Sequence, residues 1–299
     1  MNIFFTKKER NNMKYLFLMQ AFGDNVISLS NVMKLNNSES IRVFGTSLTN
    51  DIARNLAYDI KINKVFDDIP SFYNIRKDGI LKSVKDFLFL IKYIKENIPI
   101  QSDIFLEKKD FRLKILKILL RDYKLFAADK ELNVYIDRAK FLGINSKTFQ
   151  RKKMMDQNID SILINPTGRS DARHLSPKVM HGIIQNFRVY GLKIYLIDYL
   201  GFYKDFEKDV DFYYSKIKLN KAVDILKKVD LYCGPDSLFI HLAYVLDKNY
   251  FCIMNYDSSY FMPPGTIDNS HILVNKSNLN ELKSKINNWL KATKENKIL

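Results

Sequence analysis

The feature that most constrains this chain is a rhythm. Short apolar runs alternate with longer amphipathic segments from Tyr15 to Asp122, and the alternation restarts at Ser161. A short run that is apolar throughout reads as a strand buried on both faces. A longer segment with an apolar stripe reads as a helix covering one of those faces. Repeated alternation of the two builds a parallel sheet between helical layers. In the first half, strands are predicted at Tyr15–Met19, Ile41–Phe44, Lys64–Phe66 and Asp103–Leu106. Helices are predicted at 24–35, 49–57, 80–96 and 110–122. Between Ile144 and Asp160 the pattern lapses into a polar, basic stretch with Asn145, Lys147, Arg151, Lys152 and Lys153, which reads as an interdomain linker at 145–160. Strands then follow at 161–165, 193–197, 211–214, 230–233, 250–254 and 271–274. Helices follow at 177–190, 221–228, 237–246 and 279–292, the last carrying Trp289. The expected architecture is two Rossmann-like α/β domains in tandem, 1–150 and 151–299.

Composition narrows the class further. The 299 residues are 46% apolar and 27% charged, enough core material to exclude disorder, and two cysteines exclude a disulfide scaffold. No apolar run approaches the ~20 residues that span a bilayer. Lys7, Lys8, Arg10 and Lys14 before Tyr15-Leu16-Phe17-Leu18-Met19 mimic a short signal peptide, but Gln20 and Gly23-Asp24 follow where a small-residue cleavage site belongs. The segment reads as a buried first strand behind a basic extension. Cys233 and Cys252 read as reduced core thiols, which fits a cytoplasmic location. The net charge of +15 points to an anionic partner. Basic residues exceed acidic ones by 26 to 17 in residues 1–150 and by 22 to 16 in 151–299, so there is no dense basic tail, and no nucleic-acid-binding motif is present.

In open α/β sheets ligands bind beyond the carboxyl ends of the strands, so chemistry is sought at strand-to-helix junctions. Three stand out. At Gln20-Ala21-Phe22-Gly23-Asp24, Gly23 suits a tight turn, and Asp24 reads either as a helix N-cap or as a carboxylate that takes a proton from a substrate hydroxyl. The stretch from Asn165 to Pro177 offers Thr167, Gly168, Arg169 and Arg173 before a helix, chemistry that suits a diphosphate; His174 in it reads as a packing residue. At Gly234-Pro235-Asp236-Ser237, a strand gives way to a helix whose first N–H groups favour an anion. Asp236 reads as a cap or as a ligand to a hydroxyl. His241 follows five residues later, as a structural or a functional residue. Zinc spacing, an Asp-x-Asp motif, a Walker loop and a G-x-S-x-G elbow are all absent from the sequence.

Together these junctions resemble glycosyltransferase family 9, the bacterial lipopolysaccharide heptosyltransferases, over about residues 14–290. The resemblance is carried by Gly23-Asp24-Asn25-Val26 after the first strand, by Asn165-Pro166-Thr167-Gly168 through Arg173 and Pro177, and most specifically by Asp236-Ser237 with His241-Leu242 beyond it. Leu238 stands where the family has glycine, and Leu175-Ser176 where an aromatic commonly precedes the proline. The resemblance implies a GT-B fold, two Rossmann-like domains facing each other across a cleft, with the acceptor on the first domain and the nucleotide-sugar on the second. It implies an inverting, metal-independent transfer with no cofactor: Asp24 as general base, with Thr167, Gly168, Arg169, Arg173, Asp236, Ser237 and His241 around the donor diphosphate. The implied donor is ADP-heptose and the implied acceptor an anionic lipopolysaccharide core glycolipid at the inner face of the cytoplasmic membrane. Alternatives are a GT-B enzyme moving another sugar for capsule or O-antigen, and a catalytically inactive GT-B binding scaffold. Residues Lys82 to Lys124 hold 11 basic and 6 acidic residues among apolar ones, which reads either as a membrane-attracted face or as a solvated helix surface.

Overall fold

The computed structural model describes residues 13–20, 22–35, 41–73, 75–107, 109–131, 133–144, 159–168, 171–254, 259–264 and 271–273, with positions 280, 283–284 and 287–288. The basic N-terminal extension, most of the linker, Arg169 and Trp289 lie outside them. The chain divides into two compact units, Met1–Phe149 and Gln150–Leu299.

The first unit contains β1 (Lys14–Leu18), α1 (Phe22–Met33), β2 (Ile41–Thr46), α2 (Ser47–Asn55), β3 (Ile62–Phe66), α3 (Ile80–Asn97), β4 (Asp103–Leu106), α4 (Phe111–Leu119), β5 (Lys124–Ala127) and α5 (Val134–Leu142). All its strands are parallel, in the order β3-β2-β1-β4-β5. The right-handedness of parallel crossovers sets the layers. Connections running outward from β1 to β3 put their helices on one face, and those returning to β4 and β5 put theirs on the other. Accordingly α1 packs against α2 and α5. On the opposite face, Leu90, Ile91 and Ile94 of α3 and Leu113 and Leu116 of α4 share one core with Tyr15, Phe17, Phe44, Ile104 and Leu106. Helix starts are locally encoded. Thr46 and Thr49 form a reciprocal capping box at α2, Asp110 accepts from the Arg112 N–H at α4, and Asn133 accepts from the Tyr135 N–H at α5. Gly143, at φ +79°, ends α5 in the left-handed region where a side chain would strain the backbone.

The second unit contains β6 (Ser161–Ile164), α6 (Pro177–Val189), β7 (Lys193–Asp198), β8 (Phe212–Ser215), α7 (Leu219–Lys228), β9 (Leu231–Gly234), α8 (Leu238–Val245), β10 (Asn249–Met254) and β11 (His271–Leu273). Its parallel sheet has the order β11-β10-β9-β6-β7-β8. Ser176 caps α6 ahead of Pro177 at the first helical position. The apolar stripe of α6, from Val179 through Met180, Ile183 and Ile184 to Phe187, packs on Ile162, Ile164, Ile194, Leu196 and Leu231. Cys233 and Cys252, on adjacent strands, are both buried free thiols, and burial pushes both well above the ordinary thiol range.

Two elements escape the sequence pattern, β5 and α5. The strand has only four residues, with exposed Lys124 and Phe126. The helix buries Asp137 and Arg138 beside Val134, Tyr135, Ala139 and Leu142, so it carries no apolar-polar contrast. Both sheets reverse their strand order at a central pair, β1/β4 and β6/β9, which is where a crevice opens beyond the strand ends.

Candidate functional site

At the β1/β4 reversal, Glu107 follows the last residue of β4 and is almost fully buried. One carboxylate oxygen accepts the N–H groups of Met19 and Gln20 at 3.1 Å each, tying the end of β4 to the end of β1. Its other oxygen lies 3.7 Å from Arg138 Nη1. Arg138, on α5, donates from Nη2 to Asp24 Oδ1 at 2.7 Å and from Nη1 to the Asp24 carbonyl at 2.7 Å and to Ser28 Oγ at 2.8 Å. One guanidinium thus joins two carboxylates from different elements, a task its planar fork suits better than an ammonium. Helix α1 begins at Phe22, so Gly23 lies within its first turn. Asp24 is a first-turn residue rather than the N-cap, placed where the helix dipole favours a negative charge. The Arg138 side chain is only 6% exposed and that of Asp24 14%, so this pairing is far from a surface ion pair.

Beside this network, a pocket of about 340 Å³ is lined by Phe72, Tyr73, Ile75, Arg76, Lys77 and Arg112. Arg112 donates to the Phe72 carbonyl at 2.7 Å, pairs with Asp110 and lies over the Tyr73 ring. Arg76 and Lys77, with the Asp110-paired Arg112, give this pocket a net positive lining that suits an anionic ligand.

At the β6/β9 reversal, the Asn165 N–H bonds the Cys233 carbonyl at 3.1 Å. Asn165 Nδ2 donates to Thr167 Oγ1 at 3.2 Å and to the Ile197 carbonyl at 3.0 Å. Thr167 is therefore turned inward and shapes the loop. Gly168 is required by close packing: a Cβ there would overlap the side chain of Arg173. Gly234 is equally confined, between the Tyr232 hydroxyl and the Asn165 carbonyl. Arg173 reaches across to Asp236, Nη1 to Oδ2 at 2.9 Å, with the Arg173 side chain 35% exposed and that of Asp236 8%. Ser237, not Asp236, occupies the N-cap position of α8, and it makes no side-chain capping bond. Its Oγ lies 3.4 Å from the Tyr232 hydroxyl. His241 is buried on α8, and Leu238 is the half-buried first residue of that helix. His174 packs its ring edge-on to Phe202, with Nε2 3.1 Å from the Gly168 carbonyl, as a packing residue should.

A further carboxylate supports this loop. Asp198, fully buried at the end of β7, accepts the N–H groups of Gly201, Phe202 and Tyr203 and the Tyr213 hydroxyl. Tyr203 in turn donates to the Leu175 carbonyl. Burial, with Asp198 nearby, pushes the Tyr203 hydroxyl up to about 12, so it stays a donor.

The structure thus brings Thr167, Gly168, Arg173, Asp236 and Ser237 together at one crevice, with His241 on the helix that starts there. Asp24 stands in the other unit with Arg138 and Glu107, which sequence reasoning missed. Glu107 was open to recognition as a carboxylate directly after a strand; Arg138 gave no such signal. Among the described residues, no group of three or more His, Cys, Asp and Glu is arranged to hold a metal ion. Replacing Arg138 by Met removes the cation that faces the buried Glu107 and Asp24 carboxylates. Urea unfolding is expected to show a loss of about 3–5 kcal/mol, and a loss near zero would mean that the pairing contributes nothing.

No protein-family model matches the sequence, and no curated protein matches it. Solved structures do resemble it. The ADP-heptose lipopolysaccharide heptosyltransferase II of E. coli is similar at a TM-score of 0.62 and 14% identity, covering 94% of this chain and 99% of that one. A glycosyltransferase family 9 structure from Veillonella parvula gives 0.60 and 10%, with 89% and 86% covered. The UDP-GlcNAc 2-epimerase of Neisseria meningitidis, bound to UDP-GlcNAc, gives 0.55 and 10%, with 93% and 92% covered. At such identities the likeness shows the fold alone. The chain has an α/β, two-domain GT-B fold, similar to that of the family 9 heptosyltransferase structures.

Proposed function

We propose that the chain is an inverting glycosyltransferase that takes a sugar from a nucleoside-diphosphate donor bound beyond β6 and β9. The observation that carries this reading is Arg173. Gly168 gives it room, Asp236 holds it beside the start of α8, and its side chain stays partly exposed. A donor diphosphate would meet there a guanidinium and the first N–H groups of a helix whose N-cap side chain makes no capping bond, both suited to developing negative charge. The fold neighbours support a nucleotide-sugar: one is named for ADP-heptose and another holds UDP-GlcNAc. Of the residues named for the diphosphate, Thr167 acts by shaping the loop, and Arg169 is one more cation of the same loop.

In this reading the acceptor hydroxyl attacks the anomeric carbon, the bond to the diphosphate oxygen breaks, and the acceptor proton passes to Asp24. Arg138 orients that carboxylate, and the net positive lining of the Phe72–Arg112 pocket attracts an anionic acceptor. The sugar is heptose and the acceptor an anionic lipopolysaccharide core glycolipid, which brings the enzyme to the inner face of the cytoplasmic membrane. Arg173 and the α8 terminus take the part that a divalent cation plays elsewhere.

Arg173→Ala is expected to weaken ADP or UDP binding, read by calorimetry, by about 1.5–3 kcal/mol, the scale of a charge-assisted hydrogen bond. It should also lower unliganded stability, because Asp236 loses the Arg173 guanidinium in a nearly buried setting. Unchanged affinity for every nucleotide that binds the native chain would refute the donor site. Asp24→Asn keeps the side chain's shape and a hydrogen bond to Arg138. Loss of the base should cut turnover by roughly 10²–10⁴-fold while nucleotide affinity holds; full turnover would place the base elsewhere. Transfer should persist in EDTA, and a loss restored by magnesium or manganese would overturn the metal-independent mechanism.

A further inference from the structure

Helices α3 and α4 cover the same face of the first sheet, with Leu90, Ile91, Ile94, Leu113 and Leu116 turned into one core. Their outer sides are not polar. On α3, Leu81 is 88% exposed and Leu88 58%, with Val84 exposed beside them; on α4, Ile118 is 75% exposed and Phe111 57%, with Ile115 and Leu119 also exposed. The spacing is helical: 81, 84, 88 on α3 and 111, 115, 118 on α4 each run along one side of their helix. Single exposed leucines are ordinary, but two apolar stripes on one helical layer mark an interaction surface.

Charge identifies the partner. The two helices together carry seven Lys or Arg against only Asp86 and Glu96. Lys82, Lys85, Lys114 and Lys117 are exposed among the apolar positions. A second copy of this chain would set like charges against each other and bury lysines, which interface cores avoid. Long lysine stems instead suit a boundary where the carbon chain lies in an apolar phase and the ammonium meets an anionic headgroup. No described helix is long and apolar enough to cross a membrane, so the contact is with the surface plane.

We propose that the outer face of α3 and α4 docks on an anionic lipid bilayer, its leucines, isoleucines and phenylalanine entering the headgroup boundary and its lysines pairing with lipid phosphates. This extends the glycolipid-acceptor reading but is tested without donor or acceptor. The full chain is floated with vesicles of phosphatidylcholine alone and of phosphatidylcholine mixed with phosphatidylglycerol. It should float with the mixed vesicles and stay behind with the neutral ones. Leu81→Ser with Ile118→Ser should reduce partition by about tenfold or more, from the apolar area withdrawn. Lys85→Glu with Lys117→Glu should reduce it most at low salt, where screening is weakest. Because these four positions are exposed and outside the donor crevice, circular dichroism and ADP binding serve as controls and should match the native chain. Failure of the native chain to float with the mixed vesicles at low salt would overturn the proposal, as would native-like flotation of both variants. A dimer in light scattering that the Leu81→Ser, Ile118→Ser pair dissolves would assign the face to a second copy instead. None of these outcomes bears on nucleotide binding, so the docking face and the transferase reading fail separately.

Discussion

Parallel pairing is the constraint on which the rest of this protein depends. A parallel strand cannot return through a tight turn, so every connection must cross over a sheet face, and in both units helices make most of those crossings. Because crossovers are right-handed, the chain switches faces when it returns past its first strand. That switch falls beside β1 in one sheet and β6 in the other. At each, two loops leave in opposite directions and a crevice remains. The candidate chemistry of both halves sits at these two places, where loops diverge beyond the carboxyl ends of the strands.

The two crevices are finished in different ways. In the first unit the Glu107, Arg138 and Asp24 groups form a nearly sealed network, tied into the backbone at Met19 and Gln20. Burying such charges is costly unless each is paired and hydrogen-bonded, and here the pairing joins β4, α5 and α1. In the second unit the corresponding pair, Arg173 with Asp236, leaves the cation partly exposed. A sealed pair orients; an exposed cation can exchange its partner for a ligand. The carboxylate of Asp230 lies toward the opposite end of the second sheet and bonds the Asp160 and Ser161 N–H groups.

Hydrophobic burial follows a similar division between structure and function. The inner sides of α3 and α4 are ordinary core-facing stripes, while their outer sides carry apolar residues that the fold does not use. A sequence with both sides apolar blurs the helical contrast, which is why Lys82 to Lys124 read equally well as a solvated or a membrane-attracted face. Which of these apolar residues stay exposed is decided only once the sheet shows which side is inward.

From sequence alone came the strand and helix alternation, the two-domain α/β class and three junctions bearing Asp24, Arg173 and Asp236, because burial on two faces and the chemistry of loops leave local marks. Helix caps were less legible. Asp24 and Asp236 are both cap-forming residue types, yet α1 starts two residues before Asp24 and Ser237 holds the cap position of α8. Those starts depend on how the preceding strand leaves the sheet. Helix α5 and its Arg138 gave no signal, since a helix that buries charges shows no periodic contrast. Which carboxylate meets which guanidinium was decided by tertiary structure alone. Arg138 and Asp24 lie 114 residues apart, and Arg173 and Asp236 lie 63 apart. Strand order brings these partners together, and strand order is a property of the closed sheet, not of any local stretch of chain.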